Sequence, residues 1–296
     1  MKQRKILVLI LLFNLILTKM EAQTFKTIQA DKLTLQVYNA AETSFGVASV
    51  IVSGPMESVL IDAQFTIADA EKVAQQIKES GKKLTAIYIS HGDPDFYFGL
   101  EVFKKYFPEV TVYATASTIE HIKATAQKKL DVWGERLGKA ITSNAILPQV
   151  LKNNTLTVDG QTLEITGTST SPEKTFVWIP SIKAVIGGIN VFGTTFHLWM
   201  ADAQTPEARQ SWTSVLEKIE SLKPAIVIPA HAKSDSPFDL KAVQHTKEYI
   251  QFYGNALKTS KTSEELIKTL KAKYPQLTFE TALQIGAKVN TGEMKW

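Results

Sequence analysis

In the segment "SHGDPDFYFG", His91, Asp93 and Asp95 stand two apart, directly after the apolar run 86–89. Two carboxylates and an imidazole on one turn repel or compete unless they share something positive. A second histidine, His231, closes the apolar run "AIVIPAH", and Asp62 closes "SVLID". Imidazole and carboxylate are good zinc ligands, and a zinc ion with an open position ionises bound water near neutral pH. The chain has no cysteine, so any metal must be held by His, Asp, Glu or backbone oxygen.

Residues this far apart in sequence meet only if strands deliver them. Strands are expected at 34–41, 47–54 and 58–63, separated by polar or Gly-Pro turns. A helix follows, with Thr66 at its cap, Ile67, Ala70, Val73, Ala74 and Ile77 on one face, and Gly81 at its end. A strand at 84–90, a helical stretch at 97–106, the strand "VTVYAT" and an amphipathic helix at 116–131 continue an alternation typical of parallel crossover units. After residue 140 come short strands, in "NAILPQVL", "TLTVDG", "QTLEITG", "TFVWIP" and "AVIGG". Thr205 and Pro206 then open a helix that feeds the buried strand "AIVIPAH", and Ser236-Pro237 opens another, to about 256, before a last helix at 263–273. Ligands of α/β sheets collect at the carboxyl ends of strands. If these ends share a rim, His91, Asp93, Asp95 and His231 meet, with Asp62 close behind.

His121 and His245 lie in amphipathic helices among Lys, Glu and Gln and read as ordinary surface histidines. Trp133, Trp178 and Trp199 suit either an apolar platform or core packing.

The 296 residues are 44% hydrophobic and 21% charged, enough for one large core or two small ones. "MKQRK" followed by "ILVLILLFNLIL" reads as a signal peptide over 1–22, cleaved after Ala22, with an uncleaved anchor as the alternative because Met20 is a poor −3 residue. One domain is expected over 23–296, periplasmic or secreted, with no stable membrane insertion once the leader is gone. Four basic residues and Glu21 leave with that leader, so the formal charge of +4 becomes +1. Such a nearly neutral chain lacks the concentrated basic surface that nucleic-acid binding requires; a small-molecule substrate is the expected partner.

"LIDA", "SHGDPDFYFG" and "PAHA" resemble, in order and spacing, the motifs of the metallo-β-lactamase superfamily. The resemblance spans roughly residues 33–256 and implies a four-layer αβ/βα sandwich. It implies that His91 and Asp93 hold one zinc, that Asp95 and His231 belong to a second, and that Asp62 orients the ligand loop. Three positions depart from the pattern. Phe96 stands where the motif's last histidine belongs, "TSTSPEKT" lacks the middle histidine, and Ile189 and Asn190 occupy the place of the bridging aspartate. His197 and, less favourably, Asp202 are the candidate replacements.

The expected protein is therefore an exported hydrolase with at most one zinc, held by some of His91, Asp93, Asp95, His197 and His231. Asp95 is its candidate catalytic carboxylate, and an ester, lactone, amide or phosphoester is the bond cleaved. The histidine-poor motif does not match β-lactam-cleaving members closely. A metal-free family member that binds a ligand in the cell envelope is the alternative.

Overall fold

Apolar side chains alternate along the first strands so that both faces of the sheet are covered, and this decides the layering. The computed structural model describes residues 25–296; the expected leader at 1–22 lies outside them. Strands β1 (Lys26–Ala30), β2 (Leu33–Asn39), β3 (Ala48–Ser53) and β4 (Glu57–Ile61) pair antiparallel. Then β5 (Lys83–Tyr88), β6 (Thr111–Ala114) and β7 (Gln149–Val150) extend the same sheet in parallel. A second sheet has β8 (Thr155–Val158), β9 (Gln161–Thr166), β10 (Phe176–Ile179), β11 (Ala184–Ile186) and β12 (Ile226–Val227), in the order β12-β11-β10-β9-β8.

Val50, Val52, Val59 and Ile61 point inward to Leu163, Val177 and Ile186 of the second sheet. Their neighbours Ile51 and Leu60 point the other way, into the layer of helices. Against the first sheet lie α1 (Ile67–Glu79), α2 (Pro94–Tyr97), α3 (Leu100–Tyr106) and α4 (Ala116–Leu137); α5 (Pro206–Ser221), α6 (Lys241–Thr259), α7 (Ser263–Lys273) and α8 (Glu280–Asn290) complete the chain. Val185 and Val227 of the second sheet share their apolar cluster with Trp212 and Leu216 of α5 and Val243 of α6. The result is the expected αβ/βα sandwich.

Several boundaries differ from expectation. β1 and α8 are additional, α4 continues to Leu137, and α6 starts at Lys241. Ser236-Pro237 forms a turn instead, its Ser236 N–H bonded to the Lys233 carbonyl at 3.0 Å.

Two features bring the strand ends together. β4 and β5 are parallel neighbours with Ile61 opposite Tyr88, so Asp62 and the turn at 90–93 leave the sheet side by side. The segment after β12 is laced to the start of β3: Ala48 N–H reaches the Ala230 carbonyl at 2.8 Å and Ala232 N–H the Gly46 carbonyl at 3.0 Å. His231 lies between these two bonds and is carried to the rim of the first sheet.

Candidate functional site

Asp62 adopts φ 63°, a left-handed conformation that Asp tolerates better than most residues, and this turns its carboxylate under the next strand end. One oxygen accepts the Ser90 backbone N–H at 2.8 Å and the other accepts the Ser90 hydroxyl at 2.6 Å. The Ser90 oxygen in turn accepts the Gly188 N–H at 2.7 Å, from the loop beyond β11. Burial pushes the Asp62 carboxyl up to about 7, against the lowering effect of the Ser90 bonds. Asp62 thus fixes the turn that carries His91.

His91 and Asp93 are half-buried beyond that turn. His91 Nε2 lies 3.2 Å from one Asp93 oxygen. The other oxygen accepts the ammonium of Lys129, which reaches in from α4. Lys129 also lies 3.1 Å from His121 Nε2 and 3.4 Å from the Gly92 carbonyl. Gly92 admits this approach: a β-carbon there would stand 2.6 Å from the His121 ring. Burial alone would raise the Asp93 carboxyl; His91 and the Lys129 ammonium outweigh it and hold the group well below the ordinary carboxylate range. Lys129 and His121 are the site residues the sequence did not yield. His121 is no ordinary surface histidine, since it faces Asp93 at 3.7 Å.

Asp95 and His231 form a separate, buried pair. His231 Nδ1 lies 3.0 Å from the Phe45 carbonyl, which can only accept, so the proton sits on Nδ1 and Nε2 presents a lone pair. That Nε2 is 3.7 Å from Asp95, beyond hydrogen-bond length. Burial lowers His231 to about 4, while burial and then the Asp93 charge raise the Asp95 carboxyl well above its ordinary range. The Phe96 ring packs edge-on against both His91 and His231, with centroids 5.3 and 5.7 Å away.

These side chains do not fit a zinc ion. Both Asp93 oxygens are engaged, a phenyl ring stands where a donor is needed, and among the described residues no three His, Asp or Glu side chains form a metal-binding group. Neither proposed replacement completes a ligand set. His197 is fully buried, with Nδ1 3.0 Å from the Tyr249 hydroxyl of α6. Asp202 accepts the Trp296 indole N–H. Asn190, at the bridging position, spends its amide on the Lys174 and Thr175 carbonyls at 2.9 and 3.2 Å. His245, also expected at the surface, is half-buried, with Nε2 3.2 Å from the Phe196 carbonyl.

His197 yields a pH prediction. Burial lowers it to about 4, below an unfolded value of about 6.5. Between those values the unfolded chain takes up a proton that the folded chain refuses, so stability present above pH ~6.5 is lost as pH falls towards ~4, by roughly 3 kcal/mol. Urea unfolding at several pH values should show this loss. His197→Leu should flatten it by about that amount, and an unchanged slope would count against the assignment.

Beside the polar groups runs an aromatic wall. Phe45 contacts Trp133 and Trp199 at ring distances of 5.3 and 6.0 Å, and Trp199 continues to the exposed Trp296 at 5.6 Å. Phe45, Trp133 and Trp199 are only partly buried.

The family model described as the metallo-beta-lactamase superfamily matches residues 43–186, a span that holds Asp62, the 91–96 motif and Lys129. Among solved structures, a metallo-beta-lactamase from Hirschia baltica is 16% identical, with a TM-score of 0.57 over 77% of this chain and 98% of that one. One from Pontibacter korlensis is 18% identical, with a TM-score of 0.52 over 77% and 99%. The IND-7 metallo-beta-lactamase is 18% identical, with a TM-score of 0.54 over 78% and 100%. A search of curated proteins finds no match. The matched span carries the first two motifs at their strand ends, and the two facing sheets and outer helices extend the likeness over most of the chain: over residues 43–186 the sequence is similar to the metallo-beta-lactamase superfamily, and the chain has the metallo-beta-lactamase fold.

Proposed function

We propose that this chain is a metal-free member of its hydrolase superfamily that binds a small molecule, taking an apolar body against Phe45, Trp133 and Trp199. The observation that carries this reading is Phe96. Its ring touches His91 and His231 at the position where a metal centre needs a lone pair, and it replaces a donor with hydrocarbon. The partly buried rings of Phe45, Trp133 and Trp199, joined to the site where the Phe45 carbonyl meets His231, offer the stacking surface that ligand clefts commonly use. Placement outside the cytoplasm, in the cell envelope or secreted, rests on the basic-then-apolar composition of residues 1–22 alone.

Metal content of protein purified with neither chelator nor added zinc tests the reading. Well below one zinc per chain is expected. A full equivalent retained through dialysis would overturn it and favour the second reading, a single-zinc hydrolase. That alternative draws on the meeting of His91, Asp93, Asp95 and His231 at one rim. On the metal-free reading, ligands with an aromatic ring should quench tryptophan emission and be recovered unhydrolysed.

A further inference from the structure

We infer that Lys129 is a built-in counter-ion that takes the place of a metal in this site, fastening Asp93, Gly92 and His121 as a bound cation would. The inference deepens the metal-free reading and rests on it.

The argument begins with valence. An ammonium has three N–H donors and no acceptor. Lys129 has three acceptors around it: an Asp93 oxygen, the Gly92 carbonyl at 3.4 Å and His121 Nε2 at 3.1 Å. All three donors are used, so Lys129 has none left for a ligand, and its role is to hold the turn. Carboxylate, carbonyl and imidazole around one positive centre are also the donor types that surround a metal.

The acceptors are equally committed. Asp93 has one oxygen on Lys129 and the other 3.2 Å from His91 Nε2, so its charge is shared between two partners on opposite sides. His121 must present the Nε2 lone pair to the ammonium, which fixes its tautomer. Asp93 stands at the N-cap of α2, yet its side chain makes no capping bond, so its carboxylate is turned away from the backbone and towards the cation.

The scaffold supports this placement. His121 and Lys129 lie about two turns apart on α4 and share a face. The missing β-carbon of Gly92 lets that face close on the turn. A dissolved cation entering here would meet a like charge already in contact with the carboxylate it needs.

Zinc titration by calorimetry, with thermal unfolding, on the unmodified protein and on Lys129→Met tests the inference. Methionine keeps the length and removes the charge. The expected result is at least a tenfold gain in zinc affinity for Lys129→Met, together with a melting temperature lower by roughly 4 °C or more without metal. If neither protein binds zinc and the melting temperature does not move, the counter-ion role falls while the metal-free reading stands. If the unmodified protein binds zinc firmly and Lys129→Met binds it no better, both fall. If the unmodified protein binds zinc and Lys129→Met binds it at least tenfold tighter, the metal-free reading falls and Lys129 stands as the competing cation.

Should Lys129→Met not fold, acylation of the unmodified protein with an amine-reactive ester, read by peptide mass spectrometry, decides the matter. Lys129 should label at least tenfold more slowly than the exposed Lys139. Equal rates would overturn the proposal.

Discussion

Asp62→Ala is expected to cost about 3–5 kcal/mol of stability, measured by urea unfolding at neutral pH. The carboxylate is 1% exposed and accepts both the N–H and the hydroxyl of Ser90. Alanine leaves two buried donors without an acceptor, at about 1–3 kcal/mol each. It also places a residue less tolerant of φ 63° where Asp now sits, for roughly another 1 kcal/mol. Asp62→Asn keeps the shape and one acceptor and should cost about 1–2 kcal/mol, since only the Ser90 hydroxyl must find a new partner. The measured order should therefore be Ala well above Asn. A loss below about 1 kcal/mol for Ala would mean that water replaces the carboxylate and that the turn is not held as described.

Phe96→Ala carries the other large effect, also about 3–5 kcal/mol, because a ring 1% exposed leaves a cavity between two histidines and the helix layer. The backbone of Phe96 adds to the demand on this position: its carbonyl accepts the Ala63 N–H at 2.7 Å, tying the motif helix to the end of the neighbouring strand. Phe96→His is the gentler and more informative change. It should cost about 1–3 kcal/mol through lost packing and a buried polar ring. It also returns a lone pair to a place between His91 and His231, so metal uptake in the folded fraction should rise. With Asp93 still held by Lys129 the gain should be modest, and combining Phe96→His with Lys129→Met should enlarge it. A combined variant with no measurable uptake would show that the backbone around these positions no longer has the shape a metal requires.

The strand-end residues were legible because an apolar run that stops at a histidine or aspartate marks both a buried strand and its chemically active end. That signal placed Asp62, His91, Asp93, Asp95 and His231 on one rim, and the parallel pairing of β4 with β5 and the lacing of 230–232 to β3 explain why it works. Lys129 and His121 gave no such signal. On a helix rich in Lys and Gln, a cation that faces a carboxylate across the fold looks like any solvated one; only the identity of Gly92 hinted that something packs closely there.

His197 misled for a related reason. Proximity in sequence to the bridging position says nothing about rotation, and its side chain turns to Tyr249. β1 escaped notice because only alternate residues are half-buried, against an otherwise exposed strand. α8 escaped because it opens at Phe279 without a side-chain cap and carries Gly286 in its interior, where a β-carbon would stand 3.2 Å from that of Met200.

The position of Lys129 on α4 has a consequence for supply. A cation carried by a helix is delivered with the polypeptide, one per molecule, at an effective concentration no free ion approaches. It cannot be stripped by a chelator, lost in a zinc-poor medium or exchanged for copper, the ion that otherwise outcompetes zinc for imidazole and carboxylate ligands. Its single charge and spent donors leave it unable to polarise a carbonyl or sharpen a water molecule. On the metal-free reading, the turn is assembled as soon as the chain folds, and what it gives up is the reactivity that a divalent ion would have brought.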